Sequence, residues 1–98
     1  MEKKSPHYLL SDVKALAQKD RVHASHAALK SAAILGFSLA DMKYVILNLE
    51  TNDFYKSMTS YRDSKLWQDV YRFPAIDVDI YLKIQILENL VIISFKEV

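Results

Sequence analysis

An α+β fold is predicted for this chain, with N-terminal helices packed on an antiparallel β-sheet formed mainly by the C-terminal half. Three observations predict it. Apolar residues recur at helical spacing up to Leu49, they alternate at period two from Ile80, and the turn-forming run Thr51-Asn52-Asp53 separates the two regimes. Residues 1–52 therefore read as mainly helical and residues 53–98 as a β meander. Together they make a single domain over 1–98, since 98 residues suffice for one core and not for two.

Ser11 is placed to cap the first helix, with Asp12 suited to its positive end and Leu10, Val13, Leu16 and Ala17 on one stripe. Arg21-Val22-His23 reads as a short extended link. Ser25 is the next N-cap, and Ala28, Leu29, Ala32, Ala33 and Leu35 run to Gly36, where a left-handed C-terminal residue is wanted. Ser38 and Asp41 form a capping-box pattern for a third helix with Met42, Val45, Ile46 and Leu49 on its apolar side. Strands follow at Phe54–Tyr61 and Leu66–Phe73 around the polar loop Arg62–Lys65, then at Ile80–Ile86 and, after Glu88-Asn89, at Leu90–Phe95. The last is apolar on both sides, as an inner strand would be.

Composition narrows the function classes. With 51% apolar and 26% charged residues the chain buries a core and is no disordered tail. The absence of cysteine excludes a disulfide framework and a thiolate metal site. The start MEKKSPHY is charged and has no apolar run behind it, so no signal peptide or membrane segment is expected and the default location is the cytoplasm. Net charge is only +1, so a cationic surface can arise only from placement.

Strict alternation sorts the strands. Ile80, Leu82, Ile84 and Ile86 go under the helices, leaving Tyr81, Lys83 and Gln85 on the open face. On the last strand Ile92, Ser94 and Lys96 share one side; Lys56 shares one with Met58, and Gln68 with Val70 and Arg72. Lys56, Gln68, Tyr81 and Lys96 are thus permitted to converge. There is no Ser-His-Asp pattern and no glycine-rich phosphate loop. His23 and His26 lack a third ligand and read as a surface pair, and His7 lies near a terminus expected to be mobile. Trp67 and the tyrosines of Asp53–Arg72 read mainly as packing. Tyr81, Lys83 and Lys96 alternate with core residues and could form either a solvated face or a site for phosphodiester chemistry. RNA cleavage by its own 2′-OH needs a proton acceptor, donors for the charge developing on phosphorus and a proton for the 5′-oxygen, all within reach of clustered lysine and tyrosine.

The runs DFYKSMTSY, LWQDVYR, IYLKI and VIISFKE, with the opening MEKKSPHY, closely resemble the family of the motility quorum-sensing regulator MqsR along the whole chain. The resemblance implies a RelE-like toxin that cleaves mRNA at GC-containing sites without the ribosome, a metal or a cofactor. It also implies a cognate MqsA-like antitoxin, zinc-binding and with a helix-turn-helix domain, through which operator DNA would be reached indirectly. The family's functional residues fall on Lys56, Gln68, Tyr81 and Lys96. Met58 is a supporting position, and Arg72 and Lys83 are expected to contact substrate. Lys56 or Tyr81 would be the general base, Lys96 and Arg72 phosphate stabilisers and Gln68 an orienter. The alternative is a non-catalytic module that binds a partner through a sheet edge. Where the family follows its Tyr-Arg pair with proline and then a glycine turn, Phe73 precedes Pro74 and Ala75–Asp79 has no glycine.

Overall fold

The computed structural model describes residues 1–98 and contains β1 (Glu2–Lys3), α1 (Leu10–Gln18), β2 (Val22–Ala24), α2 (His26–Ile34) and α3 (Leu39–Leu47). A 3-10 turn at Thr51–Asp53 leads into β3 (Phe54–Thr59), β4 (Trp67–Pro74), β5 (Asp79–Ile86) and β6 (Leu90–Glu97). The six strands form one sheet in the order β1-β3-β4-β5-β6-β2, antiparallel except where β2 runs parallel to β6. The predicted four-strand meander is its centre. Its two edges come from the helical half: the link around Val22 is β2, and the charged opening contributes β1. Strands of two and three residues are too short to show a period, and only pairing creates them.

Two of the three predicted helix starts hold. Ser25 Oγ accepts from the Ala28 amide at 3.0 Å while donating to the Ile93 carbonyl at 2.9 Å, so one side chain both caps α2 and ties it to β6. Ser38 and Asp41 form the reciprocal capping box of α3, and Gly36 takes φ +85°, the conformation that glycine alone adopts freely. Ser11 is not a cap. The N-cap of α1 is Leu9, without a side-chain bond, and Ser11 lies inside the helix. The helix starts early because the chain before it is pinned: the amides of His7 and Tyr8 donate to the Asp69 carboxylate at 2.9–3.1 Å. The same pinning corrects the expectation for His7, whose ring stacks on Trp67 at 5.6 Å.

All three helices cover one side of the sheet. Val13, Ala17, Ala28, Ala32, Met42, Val45 and Ile46 meet Tyr71, Ile80, Leu82, Ile84, Leu90, Ile92 and Phe95 in one cluster, each at most 2% exposed. Each large side chain so buried contributes roughly 1.5–3 kcal/mol. Ile92 corrects the alternation read from the sequence. It lies in this core with Phe95, whereas Ser94 and Lys96 occupy the other side, because the β5–β6 register shifts and Ile93 is an extra residue between the pairs Lys83–Ser94 and Ile84–Ile92. Ser25 holds the bulge open from outside by taking the Ile92 and Ile93 carbonyls.

Candidate active site

The sheet side that no helix covers is a grid of cross-strand rows. In the first, Arg72 of β4, Tyr81 of β5 and Lys96 of β6 are successive neighbours. In the second, Lys56 of β3, Val70, Lys83 and Ser94 face one another. In the third, Met58 pairs with Gln68, whose amide donates to Gln85 at 3.0 Å. All seven residues singled out from the sequence (Lys56, Met58, Gln68, Arg72, Tyr81, Lys83 and Lys96) therefore share this face. Separate strands bring them together because each alternates with a residue that the core demands.

A second bulge adds a residue that the sequence reading assigned to packing. Between the pairs Phe54–Tyr71 and Lys56–Val70, Tyr55 has no partner on β4. Phe54 packs edge-on against Tyr71 on the helix side, and the bulge turns Tyr55 towards the cations. The Arg72 guanidinium lies 3.8 Å from the Tyr55 ring centroid, with Lys4 and Lys56 ammoniums at 5.2 and 5.4 Å. The Lys96 ammonium is likewise 5.2 Å from the Tyr81 ring.

Glu2 was also missed. Its carboxylate reaches from β1 to the Lys56 ammonium at 2.8 Å. The hydrogen bond and charge of Lys56 hold Glu2 below the usual carboxylate range, and the same bond holds Lys56 above the ordinary lysine value. Lys83 goes the other way: burial, then the charges of Lys96 and Lys56, push it down. Nothing in the sequence around Glu2 signals this contact, since it depends on β1 pairing with β3 across 54 residues.

The remaining candidates fall elsewhere. His23 Nε2 lies 3.0 Å from the Asn89 side-chain amide at the sheet edge, and no group of three or more His, Asp or Glu is arranged to hold a metal ion. Trp67 packs against the His7 ring and the Lys3 ammonium, which are themselves in contact, with Lys3 Nζ 3.1 Å from His7 Nδ1. Arg72 and Asp79 line a cleft of about 260 Å³ with Asp53 and Pro74 at one end of the face. No helix is long and apolar enough to cross a membrane.

Chemically, the face offers four cations, the phenols of Tyr55 and Tyr81 and two amides within neighbouring rows, opposed by the single carboxylate of Glu2 and, at the rim, Asp79. Converging ammonium and guanidinium groups bind a phosphodiester and stabilise charge that develops on it, and amine and phenol transfer protons. A family model described as "Motility quorum-sensing regulator, toxin of MqsA" matches residues 5–97. The chain is also similar to the mRNA interferase toxin MqsR of Escherichia coli (strain K12), with 45% identity over 97 residues covering 99% of each chain.

Proposed function

Because this chain belongs to the MqsR toxin family, we propose that it cleaves mRNA by attack of the RNA's own 2′-OH, without metal or ribosome and at GC-containing sites. It is an MqsR-family mRNA interferase toxin of a toxin–antitoxin system. The observation that carries the mechanistic reading is the convergence of Lys56, Arg72, Lys83, Lys96 and Tyr81 on one uncovered sheet face. Lys56, Arg72 and Lys96 hold the scissile phosphate and the charge that gathers on it in the transition state. Gln68, its amide fixed by Gln85, orients the nucleotide with Met58 as apolar support. Of the two acceptors suggested by the sequence, Lys56 is the poorer, since Glu2 stabilises its charged form. Tyr81, free of any carboxylate partner, is one of the groups that transfer a proton.

The partner is an MqsA-like antitoxin, zinc-binding and with a helix-turn-helix domain, and operator DNA is reached only through it. Simple strand addition has little to build on, because the outer edges of the sheet are the two residues of β1 and the three of β2.

Short RNA incubated with the protein tests the reading. Cleavage that EDTA leaves unchanged, 2′,3′-cyclic phosphate ends, and a loss of about 10²–10⁴-fold for Tyr81→Phe and 10²–10³-fold for Lys56→Ala are expected. Wild-type rates for both variants would sink it. Sequencing the new 5′ ends reports the site preference.

A further inference from the structure

We infer that Lys83 is the proton acceptor for the attacking 2′-OH, and that Tyr81 gives its proton to the departing 5′-oxygen. This rests on the ribonuclease reading above and assigns the acid and base within it.

Lys83 occupies the middle of the grid, opposite Val70 on β4 and Ser94 on β6, with Tyr81 two residues before it on the same strand and face. Val70 is fully buried although no helix covers it, so the long side chains around it, Lys83 among them, keep water out. The charged groups that face Lys83 are Lys56 from β3, Arg72 from β4 and Lys96 from β6. The one carboxylate on the grid, Glu2, is engaged by Lys56, and Lys83 has no ion pair or side-chain hydrogen bond of its own. A half-buried amine ringed by cations gives up its proton more readily than an ordinary lysine, and the direction found for Lys83 agrees. The other nitrogen bases are worse placed. Lys56 is held charged by Glu2, the Lys96 ammonium sits against the Tyr81 ring, and the Arg72 guanidinium does not deprotonate.

The step balances. The 2′-OH proton passes to the neutral Lys83 amine as the O2′–P bond forms. The P–O5′ bond breaks, and O5′ takes the Tyr81 phenolic proton, leaving a 2′,3′-cyclic phosphate and a 5′-hydroxyl. Tyr81 phenolate then recovers its proton from the Lys83 ammonium, directly or through water, along the same strand.

Cleavage of a short RNA is measured against pH for the wild type, Lys83→Arg and Lys83→Ala, and binding is measured with the same RNA carrying a 2′-deoxy residue at the scissile position. The wild-type kcat/KM is expected to rise with pH and level off below the ordinary lysine range. Lys83→Arg keeps the charge and the affinity for the deoxy RNA but loses about 10²–10⁴-fold in kcat and the rising limb with it. Ethylamine restores part of the Lys83→Ala rate, more so at pH values where it is neutral, and Lys96→Gln moves the wild-type limb to higher pH. Lys83→Met melts at a higher temperature than wild type while failing to cleave, which separates a catalytic loss from a folding defect. Cleavage by Lys83→Arg at the wild-type rate, or absence of amine rescue, overturns the assignment of Lys83 alone. Failure of the wild-type protein to cleave RNA overturns the ribonuclease reading and this assignment with it.

Discussion

The two sides of the central sheet are built from the same strands and share almost no chemistry. Along β5, Ile80, Leu82 and Ile84 are fully buried beneath the helices, while Tyr81 and Lys83 between them stay partly exposed on the other side. The helix side is apolar and tightly filled, and its one buried charge, Asp69, has its carboxylate satisfied by two backbone amides. The open side concentrates cations that repel one another and leaves Lys83 without a counterion. A cationic cluster of this kind works against folding and is tolerated because the opposite side supplies the stability. Stability and chemistry are thereby separated by one residue of strand register.

That separation is tested most severely by two consecutive residues of β6, paired with consecutive residues of β5. Phe95→Ala, opposite Leu82 in the core, is expected to cost about 3–5 kcal/mol, enough to unfold much of a marginally stable domain. Lys96→Gln, one residue further along, is expected to leave the urea midpoint nearly unchanged while lowering RNA cleavage about 10²–10³-fold. Urea melts paired with cleavage rates check both. If Lys96→Gln destabilises as Phe95→Ala does, the two sides are not independent.

How much of this was legible in the sequence follows from what each signal depends on. The clean alternation of Ile80–Ile86 was enough to put Tyr81, Lys83 and Gln85 on the open face, since period two is a local property. On β6 the same rule misassigned Ile92, because a bulge at Ile93 resets the count and is held by Ser25, 68 residues away. Tyr55 was hidden for the same reason, its bulge on β3 turning a packing residue towards Arg72. Glu2 was out of reach altogether, since the two-residue β1 exists only as a partner of β3. The meander, the helix caps at Ser25 and Ser38 and the placement of Tyr81 and Lys83 carry local signals. Lys56, Met58, Gln68, Arg72 and Lys96 were singled out by their family motifs, since alternation alone left the open side of their strands undecided, and bulges and edge strands are tertiary events.

Asp69 is where the comparison can be broken. It lies on the apolar side, yet the segment it anchors carries Glu2 round the sheet edge to Lys56. Tyr8 reinforces the anchor by donating its hydroxyl to the Trp67 carbonyl at 2.7 Å. Asp69→Ala leaves the His7 and Tyr8 amides without their acceptor and is expected to cost about 1–3 kcal/mol. Because β1 then loosens, Lys56 should lose its carboxylate and bind RNA more tightly, whereas Phe95→Ala has no such effect on the folded fraction. Denaturant melts and filter binding of 2′-deoxy RNA measure the two consequences. Unchanged RNA affinity would show that the segment does not communicate with the open face.

Two tyrosines on adjacent strands sharpen the contrast at smaller amplitude. Tyr81 stands on the open side beside Lys96, whereas Tyr71 is buried on the helix side, where burial and then the charge of Asp69 push its phenol up to about 12 from 10.0. A phenol whose folded value is raised favours the fold while it stays neutral. The contribution is complete below pH 10, where neither state has ionised, and declines as pH rises towards 12, because the unfolded chain releases its proton first. Over that window the loss amounts to roughly 2–3 kcal/mol. Tyr71→Phe removes the titrating group, so its denaturant midpoint should fall less between pH 10 and 12 than that of the wild type. A Tyr71→Phe midpoint that falls as steeply as the wild type would mean that the alkaline limit of this fold is not set by its buried phenol.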